Sequence, residues 1–90
     1  MVEFGTRSQL VYPVSATQIR ELMLGIPSWA RIVPVISDGT SFEDSGMDSL
    51  AFIEFVEELQ NVSGLNIPDE DAEHLATIAG AVGYLNGRLR

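Results

Sequence analysis

Residues 44–50 read DSGMDSL, and residues 51–59 continue without a break as AFIEFVEEL. The first run contains a turn residue, Gly46, and the second has the apolar spacing of one helix face. The residues of that expected core stripe are Phe52, Phe55, Val56 and Leu59. The pattern predicts a turn that passes directly into an amphipathic helix from about Ser49 to Val62, with Gly64 as its C-terminal cap.

Asp48 and Ser49 stand at the junction between the turn and the helix. The first N–H groups of a helix lack partners within the helix, and Asp48 is a natural side-chain cap for them. Ser49 then presents its hydroxyl at the positive end of the helix dipole. Because a helix N-terminus favours negative charge, this hydroxyl suits a phosphate ester.

A wider pattern extends from the junction in both directions. It consists of Phe42, Asp44, Gly46, the triplet Asp48-Ser49-Leu50, an acidic helix, and the run IPDEDA at residues 67–72. This pattern resembles the acyl carrier protein family, from about Phe42 to Leu85. In that family the serine of the triplet carries 4′-phosphopantetheine, so the resemblance implies that Ser49 carries this group and that Gly46, Asp48 and Leu50 shape its attachment site.

The resemblance also implies a function without catalysis. The chain is expected to hold an acyl or aminoacyl intermediate as a thioester on phosphopantetheine and to present it to partner enzymes. A phosphopantetheinyl transferase is expected to supply the catalytic groups and to take the prosthetic group from coenzyme A. Further expected partners are loading ligases and acyltransferases or synthases with basic docking patches. Fatty, polyketide, hydroxy and amino acids all stay open as cargo.

A docking patch is expected beside Ser49, where apolar residues not claimed by the core stripe are surrounded by acids. Its residues are Met47, Asp48, Leu50, Ile53, Glu54 and Glu57. For Leu50 and Ile53, partial burial in the core is an equally good reading.

Acyl chains of this family can fold back into the bundle, which implies an acyl pocket. Its candidate lining residues are Phe52, Phe55, Leu59, Ala72, Leu75 and Tyr84. These are core residues first, and two phenylalanines on one helix leave little room for a long chain.

The chain departs from the family pattern in three places. Ser45 stands where leucine is usual, Ser63 stands where an aromatic residue often ends the helix, and lysine is absent altogether. None of these departures touches Ser49. They favour a freestanding, specialised carrier over the housekeeping carrier of fatty-acid synthesis.

The helical patterns predict an all-α fold, a small bundle of three longer helices and a short helix III. The resemblance implies that this is a four-helix bundle of the acyl-carrier type with a long loop between helices I and II. Residues 1–14 are expected to form an N-terminal extension and residues 15–90 the carrier domain. The run Ser15 to Gln18 has the pattern of a capping box, which starts helix I near Ala16.

The long loop spans residues 27–41, with a short helical segment at residues 29–33 and Phe42 entering the core after it. Trp29 is expected to have a structural role rather than a partner-binding one. Helix III is expected from Asp69 to His74, and Thr77 is expected to cap a last helix from Ile78 to about Leu89.

Composition sets the broad class. Ninety residues make one domain, and the absence of cysteine excludes disulfides and a thiol nucleophile from the protein itself.

The formal net charge is −8, and eleven of the thirteen acids lie between Arg31 and Arg88, the others being Glu3 and Glu21. Such a field disfavours nucleic acid and favours basic partners. The charge taken alone is equally explained by an acidic surface that only keeps a small domain in solution. We expect a cytoplasmic monomer that does not insert into membranes, because no apolar run or leader pattern is present.

Three other readings compete with the carrier. Met47 to Leu50 is similar to the Gly-Asp-Ser-Leu box of some esterases, with His74 as base and Asp71 as acid, but the box lacks its glycine and the chain is short for that fold. The acids from Asp69 to Glu73 suggest a calcium loop, but glycine and glutamate are missing at the required positions. An unmodified acidic interaction module would share the fold and leave Ser49 bare.

Overall fold

The computed structural model describes residues 10–90, and the regular structure in that range is helical. Its elements in chain order are α1 (Ala16–Leu24), α2 (Pro27–Ala30), a 3₁₀ turn (Val33–Val35), α3 (Ser49–Ser63), a 3₁₀ helix (Asp69–Leu75) and α4 (Ile78–Leu89). No strand occurs among the described residues, and the predicted all-α bundle is confirmed. None of these helices is both long enough and apolar enough to span a lipid bilayer.

Helix α1 begins at a serine cap. The Ser15 hydroxyl accepts a hydrogen bond from the N–H of Gln18 at 3.2 Å, as expected. The second hydrogen bond of the predicted capping box, from the N–H of Ser15 to the side chain of Gln18, is absent between these two described residues, so this part of the prediction is wrong. The Gln18 side chain instead accepts from the N–H of Val11 at 2.9 Å and donates to the carbonyl groups of Val11 and Pro13. Gln18 therefore holds the segment before the helix, because that segment offers it several backbone partners at once.

One arginine folds the connection between α1 and α3 back on the bundle. The guanidinium of Arg20 donates to the carbonyl groups of Val33 and Ile36 at 2.9 Å each. It also forms an ion pair with the Asp38 carboxylate at 2.7 Å. These contacts satisfy loop carbonyls that would otherwise lack partners, so the loop packs closely.

The short helical segment predicted at residues 29–33 is present in two pieces, α2 and the 3₁₀ turn. Pro34 has no N–H to donate to the Ala30 carbonyl, so a continuous α-helix cannot run through this point. A tighter hydrogen bond, from the Val35 N–H to the Ile32 carbonyl at 3.0 Å, closes the second piece.

An aromatic cluster of Trp29, Phe42 and Phe55 forms the core at the start of α3. The ring centroids are 4.8 Å apart for Trp29–Phe42, 5.4 Å for Trp29–Phe55 and 5.3 Å for Phe42–Phe55, which is contact distance for aromatic pairs. All three side chains are buried. The indole N–H of Trp29 also donates to the Ala51 carbonyl at 2.8 Å, so Trp29 has the structural role predicted for it.

Helix α3 buries a face that is rotated from the predicted one. Its buried residues are Ala51, Phe55, Leu59 and Val62. The prediction was wrong for Phe52 and Val56, which are only half-buried and lie beside this face. On the buried face the Ala51 carbonyl accepts from the indole N–H of Trp29, and the small side chain of Ala51 is itself buried. Gly64 ends the helix with a φ of +75°, as predicted for its cap.

The predicted helix III, Asp69 to His74, is a 3₁₀ helix that continues through the buried Leu75. Thr77 then caps α4 by accepting from the N–H of Gly80 at 2.8 Å, as predicted. At Gly80 the two segments approach closely, and a Cβ there would lie 2.5 Å from the carbonyl oxygen of His74. The tight passage from the 3₁₀ helix into α4 therefore requires glycine at this position.

The final residues of the predicted N-terminal extension contact the bundle. The backbone of Val14 exchanges two hydrogen bonds with the side-chain amide of Asn86, at 2.7 and 3.0 Å. The Leu10 N–H donates to the Val62 carbonyl at 3.4 Å. Residues 1–9 lie outside the described residues, and the boundary of the extension stays a prediction.

We expect Gly80→Ala to lower the free energy of unfolding by about 1–3 kcal/mol, as overpacking does at other tightly packed sites. Gly83→Ala is the matched control, because a Cβ at Gly83 would meet no atom within 4 Å. Alanine there should raise the stability by up to about 1 kcal/mol through helix propensity. Urea denaturation followed by circular dichroism measures both. Equal effects would contradict the close approach of the 3₁₀ helix to α4.

Candidate functional site

A tight turn precedes α3 and is held by backbone hydrogen bonds. The Phe42 carbonyl accepts from the N–H groups of Ser45 at 3.1 Å and Met47 at 3.2 Å. Gly46 has a φ of +89°, a left-handed conformation that favours glycine. The hydroxyl of Ser45 donates to the Ser41 carbonyl at 3.1 Å. Serine at this position therefore strengthens the turn by a hydrogen bond, where leucine would have made an apolar contact.

Asp48 and Ser49 lie at the N-terminus of α3. The Asp48 carboxylate accepts from the N–H of Ala51 at 2.9 Å and caps the helix, as predicted. Ser49 is the first helical residue and is exposed, so its hydroxyl is open to solvent. The remaining N–H groups of the first turn have no acceptors within the helix. They and the helix dipole favour a phosphate attached at Ser49.

An open groove of about 510 Å³ lies beside Ser49. Its walls combine apolar side chains with two carboxylates. The lining residues are Ser41, Phe42, Glu43, Met47, Asp48, Ser49, Phe52 and Ala76. Because Ser49 is part of the wall, a group attached to its hydroxyl can lie along the groove or extend into solvent.

The exposed face of α3 consists of Leu50, Ile53, Glu54 and Glu57. Leu50 is 65% exposed and Ile53 is 50% exposed, which leaves both side chains accessible beside the two exposed carboxylates. Met47 is half-buried and packs against the core. The structure thus places an apolar contact next to acids, although the docking role of these residues stays a prediction.

The six residues predicted to line an acyl pocket do not surround one groove. Three are fully buried in the core, namely Phe55, Leu59 and Leu75. Three are half-buried, namely Phe52, Ala72 and Tyr84. Phe52 lines the groove beside Ser49, whereas Tyr84 lines a second groove of about 540 Å³ between the 3₁₀ helix and α4. Their role in holding an acyl chain stays a prediction.

Tyr84 belongs to a polar cluster that no sequence pattern predicted. Its hydroxyl donates to the Asp71 carboxylate at 2.6 Å and accepts from the Arg88 guanidinium at 2.5 Å. The ring of His74 stacks on Tyr84, with centroids 5.9 Å apart. Partial burial, and after it the hydrogen bond to Asp71, raise the pKa of Tyr84 above its ordinary value. The cluster ties the 3₁₀ helix to α4, and only the four-residue spacing of Tyr84 and Arg88 hinted at it.

His74 and Ser49 line different grooves. His74 lies on the second groove, and Ser49 on the first. A serine hydrolase needs the histidine within hydrogen-bond reach of the serine, and the described residues make no such contact. Within residues 10–90, no three histidine, aspartate or glutamate side chains are grouped so that they could hold a metal ion.

The model of the family described as "Phosphopantetheine attachment site" matches residues 19–85, about three quarters of the chain. The matched range includes the turn at Gly46, the exposed Ser49 and both grooves. No solved structure matches the chain.

Replacing Asp48 by alanine removes the acceptor for the Ala51 N–H, and we expect it to lower the free energy of unfolding by about 1 kcal/mol. Asp48→Asn is the matched control, because asparagine caps helices as well as aspartate does. Urea denaturation of both variants measures the difference. If the asparagine variant is destabilised as much as the alanine variant, the charge of Asp48, and not its cap, stabilises α3.

Proposed function

Because the chain belongs to the phosphopantetheine-attachment family of non-catalytic carrier domains, we propose that it carries an acyl or aminoacyl intermediate on 4′-phosphopantetheine joined to Ser49. The family establishes the prosthetic group and the carrier role. The attachment residue, the docking surface and the kind of cargo belong to the proposal.

The exposure of Ser49 at the capped N-terminus of α3 is the observation that carries the assignment. The phosphate of the prosthetic group would lie at the positive end of the helix, where backbone N–H groups favour it. The groove beside Ser49 is open, so no part of the bundle has to move for the group to be attached. The residues present therefore fit phosphopantetheine.

When attached, phosphopantetheine supplies the thiol that holds the intermediate as a thioester. The chain has no cysteine and cannot supply this thiol itself. In the loading step the Ser49 oxygen would bond to the phosphorus on the pantetheine side of the pyrophosphate of coenzyme A, and the P–O bond to the nucleotide would break. The Ser49 proton would pass to the transferase, and 3′,5′-ADP would leave. Asp48 contributes by capping α3 and so holding Ser49 at the helix start.

Carrier domains of this family work with phosphopantetheinyl transferases and with synthase enzymes. We assign the exposed face of α3, together with Met47, to docking of these partners. Leu50 and Ile53 offer an accessible apolar contact, and Glu54 and Glu57 offer carboxylates to basic patches. The net charge of −8 attracts such patches over a longer range.

We place the carrier in the cytoplasm, as a monomer loaded by a ligase or an acyltransferase. Fatty-acid, polyketide, hydroxy-acid and aminoacyl pathways all use a thioester of this kind. Identification of the species bound to the protein from its native host would distinguish them.

Incubation with coenzyme A and a broad-range phosphopantetheinyl transferase should add one phosphopantetheine to the protein, and Ser49→Ala should abolish the addition. Intact-mass spectrometry measures the gain. Ser41→Ala is the matched control, because Ser41 lines the same groove and should leave the gain unchanged. If the wild-type protein instead gains no mass under conditions that load another carrier, that result would favour the second candidate, an unmodified acidic interaction module.

Charge reversal on the exposed face of α3 should slow loading. We expect Glu57→Lys to lower kcat/KM of the transferase by roughly tenfold at low ionic strength, because steered encounters depend on such charges. Glu21→Lys makes the same charge change on α1, at an exposed position outside this face. Added salt should reduce the difference between the two variants. If the Glu57→Lys and Glu21→Lys variants are loaded at equal rates at low salt, the exposed face of α3 is not the docking surface.

A further inference from the structure

We propose that this carrier keeps its cargo outside the bundle, and that its cargo is therefore a short or polar acyl group rather than a long alkyl chain. The inference deepens the proposed function and rests on attachment at Ser49. It depends on the aromatic cluster of Trp29, Phe42 and Phe55, which fills the core beneath the attachment site.

One member of the aromatic cluster, Phe42, borders the groove beside Ser49, and the other two rings pack against it. Phe42 lines that groove with one side and contacts Trp29 and Phe55 with the other. Trp29 and Phe55 are fully buried, and Phe42 is 3% exposed. An acyl chain that enters the bundle from Ser49 therefore meets three packed rings. Protein interiors are packed as densely as crystals, so the chain enters only if these rings move away.

The rings are held from several directions. The indole N–H of Trp29 donates to the Ala51 carbonyl at 2.8 Å, so displacement of Trp29 breaks a buried hydrogen bond. The backbone of Phe42 is fixed on both sides, because its N–H donates to the Ala76 carbonyl at 2.9 Å and its carbonyl accepts within the turn before α3. Opening the core would disturb the same turn that presents Ser49.

The groove beside Ser49 offers the cargo a different place. Met47 and Phe52 give it an apolar edge, whereas Glu43 and Asp48 bring carboxylates to the same wall. When the phosphopantetheine arm folds back along the bundle, a short acyl group at its end can contact the apolar edge, and a hydroxyl or amino substituent can bond to the carboxylates. A long alkyl chain would extend beyond the groove into water. The structure thus favours short, hydroxy-substituted or amino-substituted acyl groups.

The test attaches acetyl, butyryl, octanoyl and hexadecanoyl forms of phosphopantetheine to Ser49 with a broad-range transferase, and intact mass verifies each product. Melting temperature and the emission of Trp29, the sole tryptophan, are then measured for each product. In the wild-type protein we expect both to be independent of chain length. A melting temperature that rises with chain length, together with a change in emission, would overturn the inference.

A variant with space in the core supplies the positive comparison. Phe55→Ala removes one ring of the aromatic cluster, and we expect octanoyl and hexadecanoyl groups to raise its melting temperature by a few degrees and to shift the Trp29 emission. Phe55→Leu opens a smaller space, and it replaces Phe55→Ala in the comparison if the alanine variant does not fold. A foldable variant that responds no more than the wild-type protein would show that the aromatic cluster is not what excludes the chain.

The two levels of the proposal fail in different ways. If no product forms at Ser49, the proposed function fails and the inference fails with it. If the products form and the wild-type protein responds to chain length, the carrier role stands and only the exclusion of long chains is lost.

Discussion

The buried hydrogen bond from the Trp29 indole to the Ala51 carbonyl joins the connecting loop to the first turn of α3. On the same face Ala51 is buried, and Phe55 follows it one turn later. With this face against the core, Leu50 and Ile53 remain exposed. The packing of α3 thus leaves the residues beside Ser49 accessible.

The loop can make this contact because polar groups hold it against its neighbours. Arg20 binds two loop carbonyls and Asp38, and the Asp38 carbonyl accepts from the N–H of Ala79 at the start of α4. Together with the bond from Phe42 to Ala76, these contacts connect the loop to α1 and to α4. The position of Ser49 therefore depends on the whole bundle and not on α3 alone.

Residues that lie close together in the sequence were sufficient to predict where the helices begin and end. Ser15, Asp48, Thr77 and Gly64 cap their helices as predicted, because a cap depends on residues a few positions apart. The turn at Gly46 and the helix start at Ser49 could be predicted for the same reason, since their residues are contiguous.

Contacts between segments that are far apart in the sequence could not be predicted from it. In the core stripe of α3, Phe55 and Leu59 are buried as predicted, whereas Ala51 and Val62 are buried in place of Phe52 and Val56. Phe52 is more apolar than Ala51, and only the packing of α3 against distant parts of the chain decides which of the two is buried. The 3₁₀ geometry of residues 69–75 and the cluster around Tyr84 likewise depend on how this segment meets α4. No spacing within either segment specifies the meeting point.

The contacts of Leu10 with Val62 and of Val14 with Asn86 place the N-terminal segment at the C-terminal ends of α3 and α4. Ser49 lies at the opposite end of α3, whose 15 residues span about 22 Å at the rise of an α-helix. A group joined after Arg90 would accordingly leave the bundle on the side away from Ser49. The domain can be immobilised through its C-terminal end while the Ser49 hydroxyl stays accessible.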